Sequence, residues 1–209
     1  NWWYIFKNKE YHVMDYKEEI SKIIIEKNIT QLIHFTRKQN INSILQHGLL
    51  SRDRLKEKNI NYQYNDPERR DNWDNSISLS ITNKNHYLFN EFKRRQNLSD
   101  NDFIEIKIKP SILEENEAIF CDTNAASTTF EDYRNNPEKL SNLKSWMAFE
   151  GMFKKNIYRA KDNKKFKIVR LNQKIYEPTC VQAEICFIGD IDPNHFININ
   201  ELKVVSNGK

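Results

Sequence analysis

Residues Leu32-Ile-His-Phe-Thr36 constrain this chain more than any other stretch. They are short, apolar-rich and β-branched or aromatic, which predicts a strand. Strand side chains alternate faces, so Leu32, His34 and Thr36 share one face and Ile33 and Phe35 the other. The purely apolar Ile33/Phe35 face is expected to pack on a core. The other face carries a histidine and a threonine two residues apart. Helical spacing of Ile41, Ile44 and Leu45 follows, with Gly48 as the expected stop. The stretch Val181-Gln-Ala-Glu-Ile-Cys-Phe-Ile188 repeats the design. Val181, Ala183, Ile185 and Phe187 lie on one face of that strand, Gln182 and Glu184 on the other.

The rest of the pattern is α+β: many short strands with helices between, and no regular βαβ alternation. A helix is expected over 16–27, capped by Asp15, with Ile20, Ile23 and Ile24 on its apolar face. Another is expected over 86–95, with Tyr87, Leu88 and Phe92 inward, and an apolar one from Trp146 to Phe153. Strands are expected at 77–81, 103–108 and 118–121, with a last edge strand at 202–205. Residues 52–71 are strongly polar and read as one long loop, a length that usually marks function inside a compact domain. The 209 residues suit one domain over 1–209, with 1–15 as an extension packing its tryptophans on it.

Composition removes several classes. Only four glycines are present, which speaks against a Walker or Rossmann phosphate loop. The net charge of +4 permits a nucleic-acid partner without requiring one. Cys121, Cys180 and Cys186 are odd in number and lack metal-like spacing, which points to a reducing cytoplasm and away from a disulfide framework. No His/Cys/carboxylate group has ligand spacing, so no metal is expected. No apolar run reaches a membrane span.

The His34-x-Thr36 and Gln182-x-Glu184 strands resemble the ADP-ribosyltransferase fold, and most closely the DarT toxins, which ADP-ribosylate single-stranded DNA. The resemblance runs in order through Leu32–Thr36 with Asn40, Gly48-Leu-Leu-Ser-Arg52, Asn65-Asp66 with Arg69 and Asp71, Ser76–Ser80, Phe120–Ser127 and Gln182-Ala-Glu184. The chain departs from it at Arg70, where a large apolar residue is usual, and at Val181, where proline is usual.

The resemblance implies a split, strongly bent β core with surrounding helices, and His34 and Glu184 facing one cleft. It implies NAD as co-substrate, with Glu184 beside the nicotinamide ribose. It puts His34 on the adenine-side ribose hydroxyls with Thr36 nearby, and has Asn40 support the nicotinamide half. Gln182 would help position ribose or acceptor. Arg69 stands at the family's arginine position, with Arg70 as the alternative. Single-stranded DNA would be the acceptor and a DarG-like macrodomain antitoxin the partner. The basic stretch 161–174, with the Phe166 ring, suits phosphates and bases. The competing readings are the same fold acting on RNA or protein, including an RNA 2′-phosphotransferase, and a catalytically silent nucleic-acid binder. Glu184 speaks against the phosphotransferase, which has no need of it.

Overall fold

The computed structural model describes residues 15–66, 69–161 and 164–207. The N-terminal extension, apart from Asp15, lies outside the described residues.

Helix α1 (Tyr16–Glu26) begins as its sequence dictates. The Asp15 side chain accepts from the Lys17 N–H at 3.2 Å, Glu18 and Glu19 occupy the first turn, and Ile20 and Ile23 are buried. The chain continues through β1 (Leu32–Arg37), α2 (Ile41–His47), α3 (Arg52–Glu57), β2 (Ser76–Ile81), α4 (His86–Gln96), β3 (Phe103–Ile108), α5 (Ile112–Glu115), β4 (Ala118–Cys121), α6 (Glu131–Arg134), α7 (Pro137–Leu143) and α8 (Trp146–Gly151). It ends with β5 (Asn156–Lys161), β6 (Lys164–Val169), β7 (Glu184–Ile188) and α9 (Ile199–Asn207). Five strands form one antiparallel sheet in the order β3-β1-β2-β7-β4, while β5 and β6 pair apart as a hairpin. This is the expected α+β class.

The sheet opens in its middle. Strand β1 pairs with β3 from Leu32 to Arg37, but with β2 only at Leu32↔Ile81 and Ile33↔Ser80. Strand β2 then pairs with β7 from Ser76 to Leu79. Past Ile33 the two halves therefore part, and the gap between β1 and β2 is the split. On one side of the sheet the main core gathers Leu32, Ile77, Leu79, Ile106, Ile185 and Phe187. The Phe149 ring of α8 stacks on Phe120 of β4 at 4.8 Å. A second cluster on the other side holds Cys121, Cys186, Ile119, Trp73 and Phe130.

Several sequence expectations change. The main core takes Leu32 rather than Ile33 and Phe35. Phe35 instead packs against Phe89 of α4 at 5.4 Å and Phe103 at 6.5 Å, because β1 is covered on both faces. The inward ring of α4 is Phe89, and Tyr87 is 62% exposed. Residues 52–57 form α3, capped by the Ser51 hydroxyl, where a loop was expected. Strand β7 starts at Glu184, so Val181 and Gln182 sit in the turn before it.

The last edge strand is a helix. The open edge of β3 is covered by residues 196–198 instead, where Phe196 bridges Ile108 and the Asn198 side chain bonds the Lys107 N–H and the Glu105 carbonyl. With the edge already paired, residues 199–207 turn helical and bury Leu202, with Ile199 and Val205 packed against the core.

Gly48 ends α2 with φ +81°, and a Cβ there would lie 2.4 Å from the Ile191 carbonyl oxygen. Leu49 and Ile191 exchange both backbone hydrogen bonds at 2.9 Å just beyond it. Gly48→Ala is therefore expected to cost about 2 kcal/mol or more, lowering Tm by roughly 4–8 °C in thermal denaturation. An unchanged Tm would show that this turn tolerates a side chain.

Candidate active site

A cavity of about 450 Å³ opens at the split. His34 and Thr36 reach it from β1, Ser78 from β2, Asn40 from the turn into α2, Arg69 and Arg70 from the segment before β2, and Glu184 from the first residue of β7. Gln182 is absent from the wall. It sits in the turn before β7, where its backbone N–H points to the Cys180 sulfur at 3.4 Å.

Strict alternation would separate the central pair. His34 shares a side with Leu32, which faces the main core, whereas Glu184 points opposite to Ile185, which faces that same core. They meet because the sheet is split: the gap exposes both sides of β1 and β2 to one cavity. The His34 ring spans the gap, its Nδ1 lying 2.9 Å from the Ser78 carbonyl. A carbonyl only accepts, so Nδ1 carries the proton. Burial pushes the His34 pKa down, against the Ser78 bond and with the Arg69 charge. The ring is thus neutral, and its Nε2 has no hydrogen-bond partner among the described residues.

Glu184 is held by the loop after β4. Its Oε2 accepts from the Ala125 N–H at 3.0 Å and faces the Asn124 amide at 3.5 Å. The Arg134 guanidinium braces that loop from behind, donating to the Ala125 and Ser127 carbonyls at 2.9 and 2.7 Å. Burial and the neighbouring Asp71 carboxylate push the Glu184 pKa up, while the Ser78 hydroxyl, the Ala125 N–H and Arg69 pull it down. The net direction is upward.

Arg69 is built into the wall. Its Nε donates to Asp71 Oδ1 at 2.8 Å, and its Nη2 donates to the Trp73 carbonyl at 2.9 Å and to the Ser76 hydroxyl at 2.7 Å. Its backbone is left-handed, φ +41°, a conformation that costs a non-glycine residue energy and is held only by such surroundings. Burial opposes the Arg69 charge, but Asp71, with Cys186 and Glu184 behind it, outweighs burial and raises its pKa. Nη1 makes no hydrogen bond among the described residues and is the donor left for a ligand. Arg70 also lines the cavity and is exposed.

Asn40 lines the cavity with its amide tied into the protein. Its amide donates to Thr36 Oγ1 at 3.0 Å and the Gln63 carbonyl at 2.7 Å, and accepts from the Gln63 N–H at 2.8 Å. Both amide hydrogens are committed, so Asn40 fixes the Tyr62–Tyr64 backbone over the cavity.

Glu184 and Cys186, neighbours on one face of β7, meet Asp71 from the segment before β2. Single ligand atoms of Asp71, Glu184 and Cys186 lie within 4.8 Å of one another. Sequence spacing gave no sign of this cluster, because Asp71 stands far along the chain from the other two. The Arg69 guanidinium already partners Asp71 within that cluster. Sequence reasoning used Asp71 only as a motif neighbour and missed the roles of Ser78, Ala125 and Arg134. Backbone donors leave no trace in residue type, and only the short Arg-x-Asp spacing of 69 and 71 offered a signal.

The family model described as "ssDNA thymidine ADP-ribosyltransferase, DarT" matches residues 33–199. The chain belongs to the DarT family. The match takes in β1 from Ile33 onward, the Arg69 segment and β7, and so every residue of the site just described. A solved structure of Thermosipho africanus DarTG in complex with ADP-ribose is similar at 16% identity and TM-score 0.49, covering 85% of this chain and 47% of that one. This chain therefore spans about half the length of that DarT-containing protein. No curated protein matches. No helix among the described residues is long and apolar enough to cross a membrane.

Proposed function

We propose that this chain transfers ADP-ribose from NAD to a thymine base of single-stranded DNA, releasing nicotinamide. The observation that carries the reading is a half-buried carboxylate, Glu184, sharing one cavity with a neutral histidine and a braced arginine in a chain of the DarT family. The residues suit NAD chemically. Neutral His34 offers Nε2 as an acceptor for ribose hydroxyls. Arg69 Nη1 offers a cationic donor for pyrophosphate. Asn40 acts through the backbone it fixes rather than by touching the ligand.

Cleavage of the nicotinamide bond builds positive charge on the ribose, as in glycoside hydrolysis. Glu184 stabilises that charge and holds the 2′-hydroxyl. The cationic nicotinamide offsets the upward pull on the Glu184 pKa and favours the ionised form. Thymine in DNA has one ring N–H, at N3, which must lose its proton as the new bond to ribose forms. Glu184 accepts it, since Asp71 is committed to Arg69. Duplex pairing would bury that N–H, which favours a single strand.

No metal takes part in this reading, because the Arg69 guanidinium supplies the positive charge at Asp71. The three cysteines are unpaired and buried, in keeping with a reducing cytoplasm. A DarG-like macrodomain antitoxin that removes the mark is the proposed partner.

Incubation with NAD and separate thymidine-containing single-stranded DNA, duplex DNA, RNA and protein acceptors tests this. Single-stranded DNA should gain one ADP-ribose mass with equimolar nicotinamide release, and a chelator should leave the rate unchanged. Modification of RNA or protein alone would overturn the acceptor. Loss of activity with chelator and its return with a divalent ion would give the Asp71, Glu184 and Cys186 cluster a metal.

A further inference from the structure

The β5–β6 hairpin stands outside the five-stranded sheet, and neither strand contains an acidic residue. Its register puts Arg159 opposite Phe166 and Ile157 opposite Ile168, all on one face. Ile157 is 3% exposed and roots that face in the protein. Arg159, two residues on, lines the active-site cavity. Its Nε is buried without a hydrogen-bond partner, and its guanidinium makes no hydrogen bond or ion pair among the described residues. Such a donor at a cavity wall lacks an anion among the described residues. Phe166, beside it, is 48% exposed, and Lys164 on the same face is exposed too.

The hairpin is fixed relative to Glu184. The Ala160 N–H donates to Thr129 Oγ1 at 2.8 Å, and Thr128 Oγ1 donates to the Ala160 carbonyl at 3.0 Å. Both threonines follow directly on the loop whose Ala125 N–H holds the Glu184 carboxylate. A cation that no described residue pairs, an exposed ring next to it and a rigid link to the reacting carboxylate suit a polyanion that also carries flat bases.

We propose that Arg159 and Phe166 form a nucleotide-positioning pair at the cavity mouth. Phe166 stacks on a base flanking the target thymine, and Arg159 takes a backbone phosphate beside it. This rests on the DNA reading above and adds the residues that present the strand. The opposite face of the hairpin, with Tyr158 under the Lys165 ammonium at 4.8 Å from the ring centroid, points away from the cavity and has no part in it.

The test is binding of a fluorescent thymidine-containing single-stranded oligonucleotide, measured by anisotropy in a Glu184→Gln background so that nothing is modified. NAD binding is measured by calorimetry on the same proteins. Phe166→Ala should weaken oligonucleotide binding about 10-fold, and Phe166→Trp should restore it. Arg159→Ala should weaken it similarly and lower the slope of log Kd against log salt by about 0.7. Tyr158→Ala should change it by less than about 2-fold, and NAD affinity should hold in all three, which also reports that they fold. Unchanged oligonucleotide binding in Phe166→Ala and Arg159→Ala overturns the pair while leaving the DNA reading standing. Loss of NAD binding in Arg159→Ala assigns that guanidinium to the NAD pyrophosphate and overturns its role toward DNA. A Glu184→Gln parent that binds NAD but no oligonucleotide overturns the DNA reading itself, and the pair with it.

Discussion

Glu184→Gln is expected to bind NAD and single-stranded DNA nearly as the parent does and to lose kcat by about 10³-fold or more. The amide keeps the shape and a hydrogen bond to ribose but carries no charge. Removing one preorganised electrostatic contact to a transition state costs 10²–10³-fold on its own, and loss of the proton acceptor adds to it. The same substitution should raise stability. Burial and Asp71 hold the folded-state pKa of Glu184 above the ordinary carboxylate range. Below that range both folded and unfolded chains carry the proton, and the residue makes no difference. As pH rises into the window between the ordinary and the raised value, the unfolded chain releases its proton first and the folded state loses stability relative to it. Glu184→Gln should therefore melt higher than the parent at pH 8 and alike at pH 4. The acid limb of kcat/KM should likewise sit above the ordinary carboxylate range, with rate rising as pH rises. A Gln variant with near-normal DNA modification would remove Glu184 from the mechanism. A lower Tm at pH 8 would mark it as structural.

Much of this site was legible in one dimension because it rests on strands. His34-x-Thr36 on a strand entering a helix and a glutamate two residues from a glutamine are spacing signals, and they led to the cavity wall for His34, Thr36 and Glu184. What alternation could not carry was the meeting of His34 and Glu184. That depends on where the β1–β2 ladder stops, a property of two strands 44 residues apart at the His34–Ser78 bridge. The placing of Gln182 on a strand face failed at the strand end: β7 starts at Glu184 rather than Val181, so the alternation drawn through Val181 and Gln182 describes a turn. The 202–205 stretch failed for a tertiary reason. Its β-branched valines suit a strand, but the edge they would have covered was taken by Phe196 and Asn198. Asn40 was found by pattern but its bond to Gln63 was not, since nothing in its own neighbourhood points to a residue 23 positions on.

Arg69 and Arg70 are adjacent in sequence and opposite in environment, and their alanine variants should separate cleanly. Arg69→Ala is expected to lower kcat/KM by about 10²-fold or more, as for a preorganised charge contact, and Arg70→Ala by less than about 10-fold. The difficulty is that Arg69 is also structural. Its removal strands Asp71, 5% exposed, beside Glu184, and breaking a buried pair from one side costs about 3–5 kcal/mol. It also withdraws a charge that pulls the Glu184 pKa down, so the acid limb should move further up. The double variant Arg69→Ala/Asp71→Asn resolves the two roles. With the carboxylate gone no uncompensated charge is buried, Glu184 loses its like-charged neighbour, and Tm should recover most of what the single variant lost. Turnover should not recover, because the Nη1 donor for the pyrophosphate is still absent. Recovery of both would mean that Arg69 acts only by neutralising Asp71, and the pyrophosphate contact would then pass to Arg70.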